Sequence, residues 1–281
     1  MKSLVLITAV AALAAACTTA QPKSEVDMTL PEKEKAVALI RSIETGDPAP
    51  AGYIHPERYI QHNLAVGDGI EGFAAVLKQL PPGSAKAKVV RAFQDGDTVV
   101  THTAYDFFGP KIGFDIFRFE NGRIVEHWDN LQPVAEATAS GRSQIDGPTA
   151  VTDLERTAAN KALVEGFVAD VLQGAHPEKI TNYIDPGRYD QHNPAVADGL
   201  AALGKALGEM AAAGTPLTYT HNHMIVGQGN FVLAVSEGRF LGRHVAFYDL
   251  FRIEDQKIVE HWDTIEAIPP REQWKNGNGK F

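Results

Sequence analysis

The chain has 281 residues, 44% of them hydrophobic and 22% charged, values typical of soluble globular protein and enough for two domains of ordinary size. Its formal net charge of −9 argues against electrostatic binding to nucleic acid or to an anionic membrane surface. The partners left open are small neutral or cationic molecules.

The first residues, MKSLVLITAVAALAAAC, place Lys2 before an apolar run from Leu4 to Leu13 and end on small residues and Cys17. The run is far shorter than the roughly 20 residues that span a bilayer, so 1–17 reads as a signal peptide. Cys17 is the only cysteine, which excludes an intrachain disulfide. Its place after Ala-Ala-Ala resembles a bacterial lipobox, although Ala14 stands where Leu is commoner. The expectation is export to the periplasm or cell envelope, with a lipid anchor on Cys17 as the only membrane attachment. An ordinary secretory signal with an incidental cysteine is the alternative.

Residues 18–29 form a polar tether. From Leu30 to Ile43 the residues Ala36, Leu39, Ile40 and Ile43 share one helical face. A second helix is expected at about 72–80, stopped by Pro81-Pro82-Gly83. Strands follow at about 86–94, 98–108, 112–120 and 123–131, with Gly96 and Asn121-Gly122 marking tight turns. A stretch rich in Ala, Ser, Gly and Pro, 133–151, reads as a linker on a flexible or lightly packed joint.

The same order then returns. Helices are expected near 153–173 and 200–213, and strands near 217–226, 230–241, 244–254 and 257–265. YIHPERYIQHN at 53–63 is restated as YIDPGRYDQHN at 183–193, and RIVEHWD at 123–129 as KIVEHWD at 257–263. The chain therefore reads as two copies of one α+β domain, 30–132 and 152–268, followed by a tail, 269–281.

Helices followed by a meander ending in DIFRFENGRIVEHWD, with paired QHN and EHWD segments, resemble the SnoaL-like polyketide cyclases of the nuclear transport factor 2-like superfamily. The resemblance covers nearly all of both copies. It implies two cone-shaped α+β barrels, in each of which a curved, mainly antiparallel sheet wraps helices around one deep pocket. Fold does not fix function, because this superfamily includes cyclases, isomerases, epoxide hydrolases and binding modules.

Hairpin arithmetic places the last two strands. A three-residue loop Glu120-Asn121-Gly122 sets Asp115 opposite His127, with Asp129 further along the same face. A two-residue loop instead sets Asp115 opposite Trp128. The first register gathers Asp115, His127 and Asp129 with Phe117, Phe119, Val125 and Leu131 on an apolar wall. Phe114, Ile116, Arg118, Ile124, Glu126 and Trp128 fall on the back, suited to packing on another domain or subunit. In the second copy Asp249 falls opposite His261, with Asp263 beyond and Phe251 alongside, but Gln256 replaces Gly122 and makes a left-handed turn residue costlier.

Asp115 and Asp249 lie in buried D-x-x-R segments, where an unpaired carboxyl is driven toward neutrality. The superfamily's ketosteroid isomerases use a protonated aspartate at the matching position to hold an oxyanion; simple hydrogen bonding to His127 is the structural alternative. Asp129 and Asp263 resemble the cyclases' acid/base. His62 and His192, within QHN, are candidates to orient a carbonyl or act as base, and Asn63 and Asn193 to donate to an enolate oxygen. His102 is a second candidate base. It corresponds to Val235 in the second copy, which favours the first copy as the site of chemistry.

His221, His223 and His244 offer histidine pairs, but without a fixed carboxylate they read as a solvent-facing strand, and no metal or cofactor is expected. No nucleotide-binding glycine loop, cysteine metal motif or serine nucleophile elbow appears. The reading that results is cofactor-independent acid–base chemistry on a small apolar carbonyl compound, of aldol condensation or cyclisation type. In it Asp129 or His102 removes the α-proton, and Asp115, His62 and Asn63 stabilise the enolate. A non-catalytic envelope lipoprotein that captures an apolar ligand is the alternative, and an isomerase or epoxide hydrolase the third.

Overall fold

The computed structural model describes residues 26–80 and 83–281; the signal segment and Cys17 lie outside the described residues. The first half runs α1 (Glu32–Thr45), β1 (Ile60–Gln61), α2 (Gly69–Leu77), β2 (Lys86–Asp95), β3 (Thr98–Asp106), β4 (Pro110–Glu120) and β5 (Arg123–Pro133). The second runs α3 (Thr157–Phe167), α4 (Ile180–Tyr183), β6 (Asp190–Gln191), α5 (Leu200–Ala212), β7 (Thr218–Gln228), β8 (Phe231–Phe240), β9 (Arg243–Glu254) and β10 (Lys257–Ala267). The α+β class expected from the sequence holds. Two five-stranded sheets have the corresponding orders β1-β5-β4-β3-β2 and β6-β10-β9-β8-β7, antiparallel except for the short β1 and β6. Among the described residues no helix is long and apolar enough to cross a membrane.

The apolar face read at 30–43 is the buried face of α1. Ala36, Leu39 and Ile40 pack against Val99, Phe117, Phe119 and Ile124, with Ile43 at the edge. Burial of one such Leu or Ile contributes about 1.5–3 kcal/mol. The helix ends at Gly46, left-handed at φ 70, whose N–H reaches the Ser42 carbonyl at 2.9 Å.

The hairpin register differs from the expected one. Asn121 and Gly122 form a two-residue turn with φ 50 and 73, and Glu120 pairs with Arg123 and Phe119 with Ile124. A bulge then leaves Val125 unpaired, because Arg118 already faces Glu126. Beyond it Asp115 faces Asp129 and His127 faces Phe117, so Asp115 does not lie opposite His127. The second hairpin repeats this through Asp255 and Gln256, with φ 48 and 63, and a bulge at Val259; there Asp249 faces Asp263 and His261 faces Phe251. The turn and the bulge together shift the register by two, an even number, so the side chains beyond the bulge keep the expected faces. Next to the bulge they do not, and Ile124 rather than Val125 joins Phe119 in the inner core.

The joint between the halves is tightly packed, contrary to the flexible linker expected. Phe93, Val100, Phe114, Ile116 and Trp128 from the first sheet form one buried cluster with Phe231, Leu233, Val235, Tyr248, Leu250 and Trp262 from the second. The sheets thus meet back to back, so that the back-face residues Phe114, Ile116 and Trp128 pack on another domain as their pattern suited them to do. The stretch after β5 is a strap over this seam. Arg91 donates to the carbonyls of Pro148 at 2.7 Å and Ile145 at 2.9 Å, and also to that of Asp146. Its guanidinium lies 4.2 Å over the Trp262 ring.

Candidate functional site

In each half the QHN segment adds a short parallel strand beside the last long one, with Gln61 in register with His127 and Gln191 with His261. Strand side chains alternate between faces, so Gln and Asn turn to the inner face and the histidine between them turns to the back. Asn63 Nδ2 donates to Asp129 Oδ2 and Asn193 Nδ2 to Asp263 Oδ2, each at 2.6 Å. Gln61 and Gln191 fix the tautomer of the neighbouring imidazole. Gln191 Oε1 accepts the Asn193 backbone N–H at 2.9 Å, which makes it the acceptor for His261 Nδ1 at 2.9 Å; Gln61 does the same for His127 at 3.1 Å.

With Nδ1 donating, the other imidazole nitrogen faces a carboxylate. His261 Nε2 is 3.0 Å from Asp249 Oδ1, and His127 Nε2 is 3.2 Å from Asp115 Oδ1. One proton held between each pair satisfies both atoms. Tyr219 donates to Asp249 at 3.2 Å, and Tyr105 to Asp115 at 2.6 Å. Burial opposes a charged His261, but the hydrogen bond to Asp249 and the charges of Asp263 and Asp249 outweigh it and raise its pKa. Burial, reinforced by the Asp249 charge, pushes the Asp263 carboxyl up to about 6. One of its oxygens, Oδ1, is buried without a hydrogen-bond partner.

These groups form the polar wall of a cavity in each half. The second-half cavity is about 510 Å³ and is lined by Asn193, Asp249, Phe251, His261 and Asp263, with Leu203, Leu207 and Met210 of α5 on its other side. In the first half Asn63, Asp115, Phe117, His127, Asp129 and Leu131 line a cavity of only about 100 Å³. The framework is the same, but the space for a ligand lies mainly in the second half.

The charge behind the framework also differs. The C-terminal tail crosses to the first half, where Lys280, 5% exposed, donates to the Asp129 carbonyl at 2.7 Å and pairs with Glu266. Its Nζ stands 3.9 Å from Asp129 Oδ1. The strap crosses reciprocally to the second half: His192 Nδ1 donates to the Ser143 carbonyl at 2.6 Å, as His62 Nδ1 does to that of Gly279 at 3.0 Å. The residue after Ser143 is the neutral, buried Gln144, and in place of Glu266, which accepts the Leu131 N–H, Gln132 accepts the Ile265 N–H.

Several sequence candidates fall outside the cavities. His62 stacks on Trp128 at 4.7 Å and pairs with Glu126; His192 stacks on Trp262 at 4.6 Å and pairs with Glu260. Both anchor the crossing segments instead of facing a ligand. His102 is fully buried on the sheet back, stacked on Phe114 at 4.2 Å, with Arg91 donating to its Nδ1 at 3.2 Å. Burial, then Arg91, holds it well below its ordinary pKa, and it is no pocket base. That removes the ground for favouring the first half. Phe119 is buried in the inner core and does not line the first cavity.

Asp115, His127, Asp129, Asn63, Phe117 and Leu131 are brought together, as are Asp249, His261, Asp263, Asn193 and Phe251. Sequence reasoning missed Gln61, Gln191, Tyr105 and Tyr219. The alternation within QHN was the available signal for the glutamines. One atom from each of Asp249, His261 and Asp263 lies within 4.8 Å of the others, compact enough for a metal ion, and the first-half triad matches it. His223 and His244 both pair instead with Glu237, at 3.1 and 2.6 Å, on the exposed rim.

No protein-family model matches the chain, and no curated protein is similar to it. Among solved structures, TsrD from Streptomyces laurentii is 22% identical, with 35% of this chain and 86% of that one covered and a TM-score of 0.31. IdmH from Streptomyces antibioticus, described as a candidate polyketide cyclase, is 21% identical over 37% and 93%, at 0.32. An NTF2-like protein of unknown function from Burkholderia xenovorans is 20% identical over 38% and 88%, at 0.34. Each match spans little more than a third of this chain, and at these scores none carries an argument about function.

Proposed function

We propose that the chain consists of two copies of one domain and that its second-half cavity carries out cofactor-independent acid–base chemistry on a small, apolar carbonyl compound. The observation that carries this reading is Asp263. It is a cavity-lining carboxyl raised to about 6 by burial, set by Asn193 and facing Asp249 across the strands. Such a group is ionised at neutral pH yet basic enough to take an α-proton. The His261–Asp249 pair, supported by Tyr219, holds the proton that meets the developing enolate oxygen. Proton transfer of this kind contributes about 10²–10⁴-fold. The apolar residues of the lining lower the local dielectric and strengthen each of these interactions.

Condensation or cyclisation follows α-proton removal when an electrophile lies within reach, and isomerisation follows when the proton returns elsewhere. The proposed first step is common to both. The resemblance to SnoaL-like cyclases noted from the sequence favours condensation. The sequence also supports export and a lipid anchor on Cys17.

The direct test is deuterium uptake at the α-carbon of a panel of apolar ketones in D2O, read by NMR. Uptake by the wild type that falls at least a hundredfold in Asp263→Asn is expected. An equal rate in that variant would overturn the assignment of the base.

A further inference from the structure

We propose that the second-half cavity also binds apolar primary amines, taking them as ammonium ions against Asp263. The inference shares with the proposed function the premise that this cavity is a ligand site, but it does not depend on turnover. Three observations carry it.

The ionisable groups lining the cavity leave an anion without a counter-ion. They are Asp249, Asp263, Glu209 and His261, with Tyr189 and Tyr219; among the described residues no Lys or Arg lines it. His261 is matched with Asp249, and Glu209 lies 3.5 Å from Lys205 one helical turn away. Asp263 has only the neutral Asn193 amide, and one of its oxygens has no partner. A buried charge in that state attracts a cation able to donate a hydrogen bond.

In the first half Asp129 Oδ1 likewise lacks a hydrogen-bond partner, but an ammonium of the chain's own, that of Lys280, stands 3.9 Å from it. The corresponding crossing segment in the second half carries the neutral Gln144 after Ser143, and its charged residues pair elsewhere, Arg142 with Asp190 and Asp198 and Asp146 with His192. The larger cavity is thus the one whose carboxylate lacks a built-in cation.

The rest of the lining suits the remainder of such a ligand. Leu203, Leu207, Met210 and Phe251 give an apolar body room. A carboxylate or phosphate ligand would meet two aspartates and a glutamate there, with no Lys or Arg among the described lining residues to oppose them.

The test is calorimetric titration of the full chain at pH 7.5 with n-hexylamine, 1-hexanol and hexanoate, which share one chain length and differ in the head group. The amine is expected to bind at least tenfold tighter than the alcohol, and hexanoate most weakly. In Asp263→Asn the amine-to-alcohol ratio is expected to fall to one or below. Leu203→Trp, which fills the cavity from α5, is expected to weaken amine and alcohol together. Equal binding of amine and alcohol to the wild type, an amine preference that survives in Asp263→Asn, or amine binding indifferent to Leu203→Trp would each overturn the proposal. Loss of α-deuteration with amine binding intact would count against the acid–base reading alone.

Discussion

Lys280 holds its ammonium 3.9 Å from Asp129 Oδ1, and the neutral Gln144 occupies the corresponding crossing segment of the other half. Two halves that share their Asp, His, Asn and Gln framework therefore differ in the charge placed behind it. Lys280→Met is expected to leave Glu266, whose pKa burial already raises, without its ionic partner. The cost is on the order of 3 kcal/mol, read as a drop in melting temperature. Adding Glu266→Gln is expected to restore much of the loss, and a double variant no more stable than Lys280→Met would contradict the pairing.

Burial holds Asp263 at about 6, above the ordinary aspartate value of 3.8. The folded chain therefore binds this proton more tightly than the unfolded chain. The stability linked to it is complete below about pH 4 and is lost as pH rises through about 6, a change of about 3 kcal/mol. Asp263→Asn mimics the protonated form, so its stability relative to wild type should rise between pH 4 and pH 8. Denaturant titrations at both pH values check this; the same difference at each would show that Asp263 titrates normally.

The activity should follow the opposite limb. The base form of Asp263 accumulates as pH rises through about 6, so kcat/KM for α-proton exchange is expected to climb there and level off above pH 7. A rate independent of pH between 5 and 7 would assign the base elsewhere.

His192 is expected to matter for stability and not for chemistry. Replacing it with Ala removes the stack on Trp262 and the bonds to Ser143 and Glu260. A loss of about 2–4 kcal/mol is expected, from an emptied buried site and a Glu260 deprived of one partner. The exchange rate per folded molecule should be unchanged. A hundredfold fall in that rate with normal melting would reverse the assignment.

Gln256 sits at φ 63, a conformation that glycine adopts without strain and that Gly122 takes in the first hairpin. Gln256→Gly is expected to stabilise by about 1 kcal/mol, seen as a higher urea midpoint at constant slope. No change would mean that the hairpin yields freely at this point.

The inner and outer faces of the last two strands were legible in the sequence because side-chain alternation survives any even shift of register. The pairing itself was not. It depends on bulges at Val125 and Val259, residues indistinguishable by type from their strand neighbours. The carboxylates and asparagines were found because few polar residues interrupt apolar strands. His62 and His192 were misassigned because their roles depend on segments distant in sequence, at 279 and 143, and His102 because its cross-strand partner Arg91 is turned by the strap at 145–148, which no local pattern connects to it. Cavity size was equally hidden, since it follows from how α2 and α5 sit over their sheets.

The crossing segments have a consequence for how the protein comes apart. Residues 275–280 of the C-terminal tail bind Gln61, His62, Asn63, Leu64, Val66 and Asp129, while Ala139, Arg142 and Ser143 bind Asp190, His192, Pro194 and Asp198. Each half therefore finishes its neighbour. A protease that trims the last seven residues would damage the half whose own sequence it never touched, and a cut inside the strap would injure the second half from within the end of the first. Damage in this protein is felt across the seam from where it is inflicted, so neither half is a module that can be exchanged or inherited alone without rewriting the other's ending.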